Sequence, residues 1–596
     1  MVRQLRAEAG GATANRAITV GIVRGALESI SREMGVTLRQ TAYSTIFNEG
    51  GDFSCGLFDV RGRLIAQGPF LPIHLGAIQF ATRAAIEEIG DEGFEPGDVI
   101  LQNDPYRGGS HLPDLTAISP VFVDGALIGF AANRAHHADV GGGASGSFYA
   151  KAREIYQEGL RIPPVKLYRA GELNQDVRKL VLNNVRVPSD MSGDLEAQAS
   201  ANRTAVLRME DLVRAYGRES IEAAVEAMCA QSEQRMRAVI ASWPDGEYVG
   251  EDVMENDGIV DQPVKIRVTV RVQGDSLEVD FDGTDPQARG PINAASGMTA
   301  SAVYLTIQAA TDGTIPANDG CYRPITIKAP EGSLVNPRFP APCTGGNECA
   351  HRIVNTVMRA LTALPHGPIV MACDHGSSNN LFIDTVDRRG DRVILYQYPE
   401  GGWGALPDKD GESALFSFMG NCPNTPSEAL ELRFSLRVRR YELRCDSGGA
   451  GRWRGGLGTR RDYEIVSPEA DLSFIGDRCK VPPWSLAGAK PGATADFLVD
   501  RGSGAEPAAP TMRSKGTEIP LYRGDVVTQS SAGGGGYGDP TERPLELVRQ
   551  DLENEYISRE AAERDYGVRV LDEEGKLTVV REPDQAAGIQ TEKAGL

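Results

Sequence analysis

The sequence predicts an α+β protein, a mixed fold of several subdomains with antiparallel hairpins and one long helical segment. Three observations predict it. An Asp124-Gly125 pair separates two apolar runs, which is the signature of a hairpin with a type I′ turn. Residues 194–243 place apolar side chains such as Val206, Met209, Leu212, Val213, Ile221 and Val225 at helical spacing. Residues 248–282 alternate apolar and polar, as in Val264, Ile266, Val268, Val270 and Val272, the period of half-buried strands. No regular strand–helix–strand series runs along the chain, so a doubly wound parallel sheet is not expected.

The elements follow in order. The first 16 residues lack the apolar core of a secretory signal and read as a short flexible extension. A first helix is expected over residues 17–34, where Ile18, Ile22, Leu27, Ile30 and Met34 form a stripe behind a capping Asn15. A hairpin over 53–65 turns at Asp59-Val60-Arg61-Gly62, and a second helix covers 77–89. Residues 98–140 read as strands, with the Asp-Gly hairpin pairing 115–123 against 126–133. Pro244-Asp245-Gly246 ends the long helical stretch. Gly274-Asp275 turns the alternating strands, and a helix is expected near 298–310. Residues 393–530 read as short strands joined by Gly-rich loops. Residues 545–566 form a helical tail, and the last 15 residues fray.

The 596-residue length exceeds one hydrophobic core. Four regions are expected: 1–245 with the metal-site hairpin, a β-rich 246–345, a mixed Gly-rich 346–540, and a helical tail 541–596. The net charge of −20 offers no excess positive field to phosphates, so a nucleic-acid binder is excluded. No run of about 18 apolar residues exists to span a membrane. Nine cysteines, an odd count without a CxxC pair, read as reduced core thiols of a cytoplasmic protein.

The chemistry concentrates in NDPYRGGSHLPD (103–114) and NRAHHADVGGG (133–143). A two-residue turn at 124–125 sets 113 opposite 136 and 111 opposite 138. His111 and His136 then share a face one diagonal step apart, about 7–8 Å or less between Cβ atoms, and His137 points to the other face. Two imidazoles at that spacing can share a cation. Asp139, followed by three glycines, and Asp52 in GGDFSCGLFD are the carboxylate candidates. Such a shell suits Zn, Mn or Fe and readies water as a nucleophile. His74 is a candidate ligand or a core histidine. His351 is better placed than His366 or His375. Glu158, in EGLRIPP, is a candidate general base. Arg452 or Arg454, in the Gly-rich 446–456, could meet a partner's anion, and Gly-rich 530–538 could hold one. There is no GxxxxGK[ST], GxSxG elbow or strand-borne GxGxxG, so ATP chemistry needs another chain.

These motifs, with EMGVTLRQTAYS (33–44), GGWGA (401–405), YELRCDSGGAGRWRGGLG (441–458) and GGGGYGDPTERP (533–544), resemble the hydantoinase B family over nearly the whole chain. That family comprises B-type subunits of ATP-dependent N-methylhydantoinases and oxoprolinases, related to acetone and acetophenone carboxylase subunits. The resemblance implies a hetero-oligomer such as (αβ)2 with an A-type ATPase subunit that binds ATP and phosphorylates a cyclic amide, imide or ketone. It implies a divalent metal at Asp52, His111 and His136, with Asp139 or His137 as the additional ligand. The Asn48-Glu49-Gly50-Gly51 segment departs from the Glu-Arg pair expected there. The implied activity is hydrolysis of a cyclic amide, with ATP-dependent ketone carboxylation as the alternative.

Overall fold

The computed structural model describes residues 2–311, 313–502, 512–573 and 576–581. The Asp-Gly hairpin forms the centre of a seven-stranded antiparallel sheet. Asp124 and Gly125 both take positive φ, 50° and 81°, as a type I′ turn requires. Strands Asp114–Val123 and Ala126–His136 pair with each other, and Phe53–Phe58 flanks the second on its far side. The sheet order is Leu64–Gln67, Phe53–Phe58, Ala126–His136, Asp114–Val123, Val99–Gln102, Val165–Arg169, Glu172–Leu173.

The turn is as the sequence predicts, but the register is not. A bulge between Val121 and Phe122 shifts the pairing, so Asp114 rather than Pro113 lies opposite His136. The bulge falls where Pro120 removes a ladder donor. It also lies beside Gly129, where an added Cβ would sit 2.4 Å from the Phe58 carbonyl oxygen.

Helices cover the sheet. Val23, Leu27, Ile30, Met34 and Leu38 form the buried stripe of helix Val2–Thr41, packed with Phe53, Leu57, Met209, Leu212 and Ile221. The helix spans Val2–Thr41, so it starts well before the expected residue 17. Residues 3–9, RQLRAEA, are strong helix formers and tolerate the following Gly10-Gly11. The long helical stretch is two helices, Pro188–Tyr216 and Arg218–Ile240. Gly217 at φ 78° breaks it, a conformation that costs glycine little. Helix Pro72–Ile89 starts five residues earlier than expected, with proline in its first turn.

Three four-stranded sheets complete the frame. One joins Gly246–Met254, Val264–Gln273, Ser276–Asp280 and Ile325–Lys328. It shares a core with helices Ser296–Ala309 and Gly346–Leu361 through Val268, Val270, Met298, Ile353 and Val357. The others are Arg392–Gln397, Asn380–Val386, Glu469–Ile475, Lys515–Tyr522, and Leu436–Leu443, Thr459–Ile465, Val526–Ser530, Asp496–Asp500. The tail is not purely helical. Helices Leu545–Glu553 and Arg559–Tyr566 lead into a hairpin, Val568–Glu573 with Lys576–Arg581. The expected frayed end, 582–596, lies outside the described residues. All nine cysteines are free, and all but Cys445 are buried. No helix among the described residues is long and apolar enough to cross a membrane.

Candidate metal centre

The hairpin and its neighbours bring five ionisable side chains to one cavity. His111 and Asp114 stand where the chain enters strand Asp114–Val123, and His136 ends the partner strand. Asp52 precedes strand Phe53–Phe58, and its carbonyl accepts from the His136 N–H at 3.0 Å. His74 lies in the first turn of helix Pro72–Ile89. His111 Nε2 is 2.9 Å from Asp114 Oδ1, His136 Nδ1 is 3.0 Å from the same oxygen, and the two nitrogens are 3.2 Å apart. His74 Nε2 lies 3.2 Å from Asp114 Oδ2 and 3.8 Å from Asp52 Oδ1. All five residues are buried.

The donor set suits a cation. His111 Nδ1 lies 2.7 Å from the Thr344 carbonyl, which accepts only if Nδ1 carries the proton. In the neutral ring, Nε2 then points a lone pair at a carboxylate oxygen. Two lone pairs at 2.9 Å repel unless a positive charge lies between or beside them. Ligand atoms about 2.1 Å from a tetrahedral ion stand roughly 3.4 Å apart, close to the spacing here. A carbonyl fixing the far nitrogen is the usual way a ligating histidine is oriented. No Lys or Arg among the described residues pairs with Asp52 or Asp114, whose ion-pair partners are all histidines.

The electrostatics agree. Burial and the neighbouring Asp114 charge push the Asp52 carboxyl well above its ordinary range. Burial also works against ionisation of Asp114, but the His111 and His74 rings pull it well below. Burial holds His136 down to about 4 against the pull of Asp114, and it lowers His74.

The cavity has a volume of about 40 Å³, room for an ion and a water or two. Leu71, Ile73 and Met419 form apolar walls, and Asn347, His351, Ser378 and Ser417 line it as well. Tyr396 stacks on the His136 ring at 4.7 Å and is backed by Phe382 at 4.6 Å.

Of the residues singled out from sequence, Asp52, His111, His136, His74 and His351 meet here. His137 turns away, as strand alternation requires, and its Nε2 lies 3.0 Å from Gln198 Oε1. Asp139 lies elsewhere: Arg186 Nη1 and the amides of Arg186, Gly141 and Gly146 hold it in its own loop. Glu158 does not line the cavity; its oxygens accept the Cys343 and Thr344 amides. His366 is exposed, and His375 is buried outside this cavity. Arg454 pairs internally with Asp551, and Arg452 with Glu542. The Gly-rich segments interlock, Gly402 on Ala532, Gly456 on Trp403 and Gly534 on Gly456 through backbone bonds. They form a close-packed backbone layer. Asp114 is the residue that sequence reasoning missed. The available signal was its place three residues after His111.

A buried pair of histidines bridged by carboxylate, on an antiparallel α+β frame, defines a candidate metal-binding protein. The family described as Hydantoinase B/oxoprolinase matches residues 16–540, and the chain belongs to that family. Caprolactamase subunit beta of Pseudomonas jessenii is 34% identical over 571 residues, 94% of this chain and 97% of that one. The crystal structure of ATP-dependent caprolactamase from the same organism superposes with a TM-score of 0.87 at 32% identity, covering 94% and 97% of the two chains. An acetone carboxylase structure shares the fold, with a TM-score of 0.84 at 20% identity over 96% of this chain and 81% of that one.

Proposed function

We propose that this chain is the metal-binding subunit of an ATP-dependent cyclic-amide hydrolase. The observation that carries the reading is the convergence of His111, His136 and Asp114 in a buried cavity, their ligand atoms 2.9 to 3.2 Å apart. His111, His136 and Asp114 would hold a divalent ion, Zn, Mn or Fe, with Asp52 beside them. Their ligand atoms all lie within 4.8 Å of one another for the first three. When bound, the ion supplies Lewis-acid polarisation and charge stabilisation.

The chain's own residues do the rest. Asp114 divides its carboxylate, one oxygen toward His111 and His136 and the other toward His74. His74 is thereby placed to hold a proton at Nε2 beside the reacting groups. Leu71, Ile73, Met419 and the Tyr396 ring keep bulk water out, which strengthens every charge interaction inside. In this reading an A-type ATPase partner phosphorylates the amide oxygen, removing the resonance that protects the bond and supplying a leaving group. The name subunit beta of the caprolactamase relative supports a two-subunit assembly. We place the complex in the cytoplasm as a hetero-oligomer such as (αβ)2, in keeping with eight buried free thiols.

The identity of 32% with caprolactamase against 20% with acetone carboxylase favours hydrolysis over ketone carboxylation. The test is co-purification with the A-type chain and an ATP-dependent assay on hydantoins, lactams and ketones. Hydrolysis of a cyclic amide without added bicarbonate is expected. Turnover only of a ketone with bicarbonate would assign the carboxylase branch, and a metal-free complex would leave a scaffold role.

A further inference from the structure

Glu158 is fully buried at 0% exposure and has no ion-pair partner among the described residues. Its two oxygens are nonetheless both used. Oε2 accepts the Cys343 amide and Oε1 the Thr344 amide, each at 2.9 Å. The next polar group along the chain is the Thr344 carbonyl, which accepts His111 Nδ1–H at 2.7 Å. The Thr344 hydroxyl donates to the Ser147 carbonyl at 2.8 Å, pinning the same residue from a second side. The loop bearing Glu158 is locked in turn. Leu160 donates to the Val140 carbonyl, and Gly143 donates to that of Gln157. A buried carboxylate spent on two amides of a non-helical segment is costly unless the position of that segment matters.

We infer that Glu158 is a positioning residue for His111, acting through the Cys343-Thr344 backbone to fix the ring's orientation and tautomer. The inference rests on the metal-centre reading above and adds a residue more than 180 positions from the backbone it holds. Glu158 needs to take up no proton and touch no substrate in this role. Its effect reaches the centre through one carbonyl.

The test measures metal binding by the purified chain, without partner or substrate. Zinc affinity is read by competition with a chromophoric chelator, and geometry by the visible spectrum of the cobalt-loaded protein. In Glu158→Gln one acceptor oxygen is replaced by an amide donor facing an N–H. Zinc affinity should fall about 10–100-fold, the usual cost of losing an outer partner of a ligand, and the cobalt bands should change in intensity. Glu158→Asp keeps both acceptors on a shorter arm. It should bind zinc more tightly than Glu158→Gln but more weakly than the wild type, because the arm falls one methylene short of the two amides, and it serves as the readout if Glu158→Gln does not fold. Wild-type affinity and an unchanged cobalt spectrum in the folded Glu158→Gln chain, or in Glu158→Asp if that alone folds, would overturn the inference while leaving the metal centre standing. Absence of zinc binding by the wild type would overturn the metal-centre reading itself.

Discussion

The ionic knot beside helix Gly346–Leu361 and the histidine cluster on the central hairpin are both buried, but only the knot pairs its carboxylates with arginines. Arg352 meets Asp477 at 3.1 Å, and Arg478 meets Asp252 at 2.8 Å and Asn355 at 2.9 Å. Two arginines balance two aspartates. The hairpin cluster gathers Asp52 and Asp114 with rings that burial holds neutral, His136 and His74. Its carboxylates meet only histidines as ion-pair partners among the described residues, and the buried Arg134 that feels the Asp114 charge is bonded instead to Thr116 and the Gly108 carbonyl. Low dielectric makes each imbalance expensive. A cluster that balances itself is structural. One whose carboxylates meet only histidines is the candidate ion site.

That contrast can be broken from either side. His111→Ala should lower zinc affinity by more than the 10–100-fold typical of outer partners while the chain stays folded, as circular dichroism and chelator competition would show together. Arg352→Ala should do the reverse. It leaves a buried carboxylate uncompensated and should cost about 3–5 kcal/mol in denaturant unfolding, with no selective effect on the metal in the molecules that remain folded. Equal effects of the two substitutions on stability would erase the distinction.

The wall between the two regions gives a smaller, pH-dependent effect. Burial holds His351 at about 3, below its ordinary 6.5, with Asp374 opposing. Between those values the unfolded chain binds a proton that the folded chain does not. Stability is therefore full above pH 6.5 and falls as pH drops toward 3, by up to about 2 kcal/mol between pH 6.5 and 5. Urea midpoints across this range should show the loss, and His351→Gln should make it shallower, the remainder coming from His136 and His137, both held at about 4.

Smallest is Asp139→Asn. It weakens the Arg186 pair and should cost about 1 kcal/mol in thermal or urea unfolding, with metal content unchanged. Loss of metal in that variant would bring Asp139 back as a ligand.

How much of this was legible follows from where each signal lies. The Asp-Gly turn fixes its own geometry, but His111 reaches His136 from a turn ahead of the strand rather than by the counted register, which is off by one. The bulge at Val121 and Phe122 depends on Gly129 meeting the Phe58 backbone, a contact between separate strands. That one-residue shift hid Asp114. Helix Gly346–Leu361 went unread because Asn347, Glu348, His351, Arg352 and Asn355 look like a solvated face, whereas all are buried against the knot and the cavity. Asp139 draws attention by its place three residues after His136 beside three glycines, and Glu158 by residue type. Their partners, Arg186 and the amides at 343 and 344, stand 47, 185 and 186 positions away, beyond any local pattern.

The most direct test is elemental analysis of the purified chain beside its His136→Ala variant. The account predicts a bound divalent ion in the native chain and a deep loss of it in the variant, with both folded. Equal metal in the two, or none in the native chain, would contradict it.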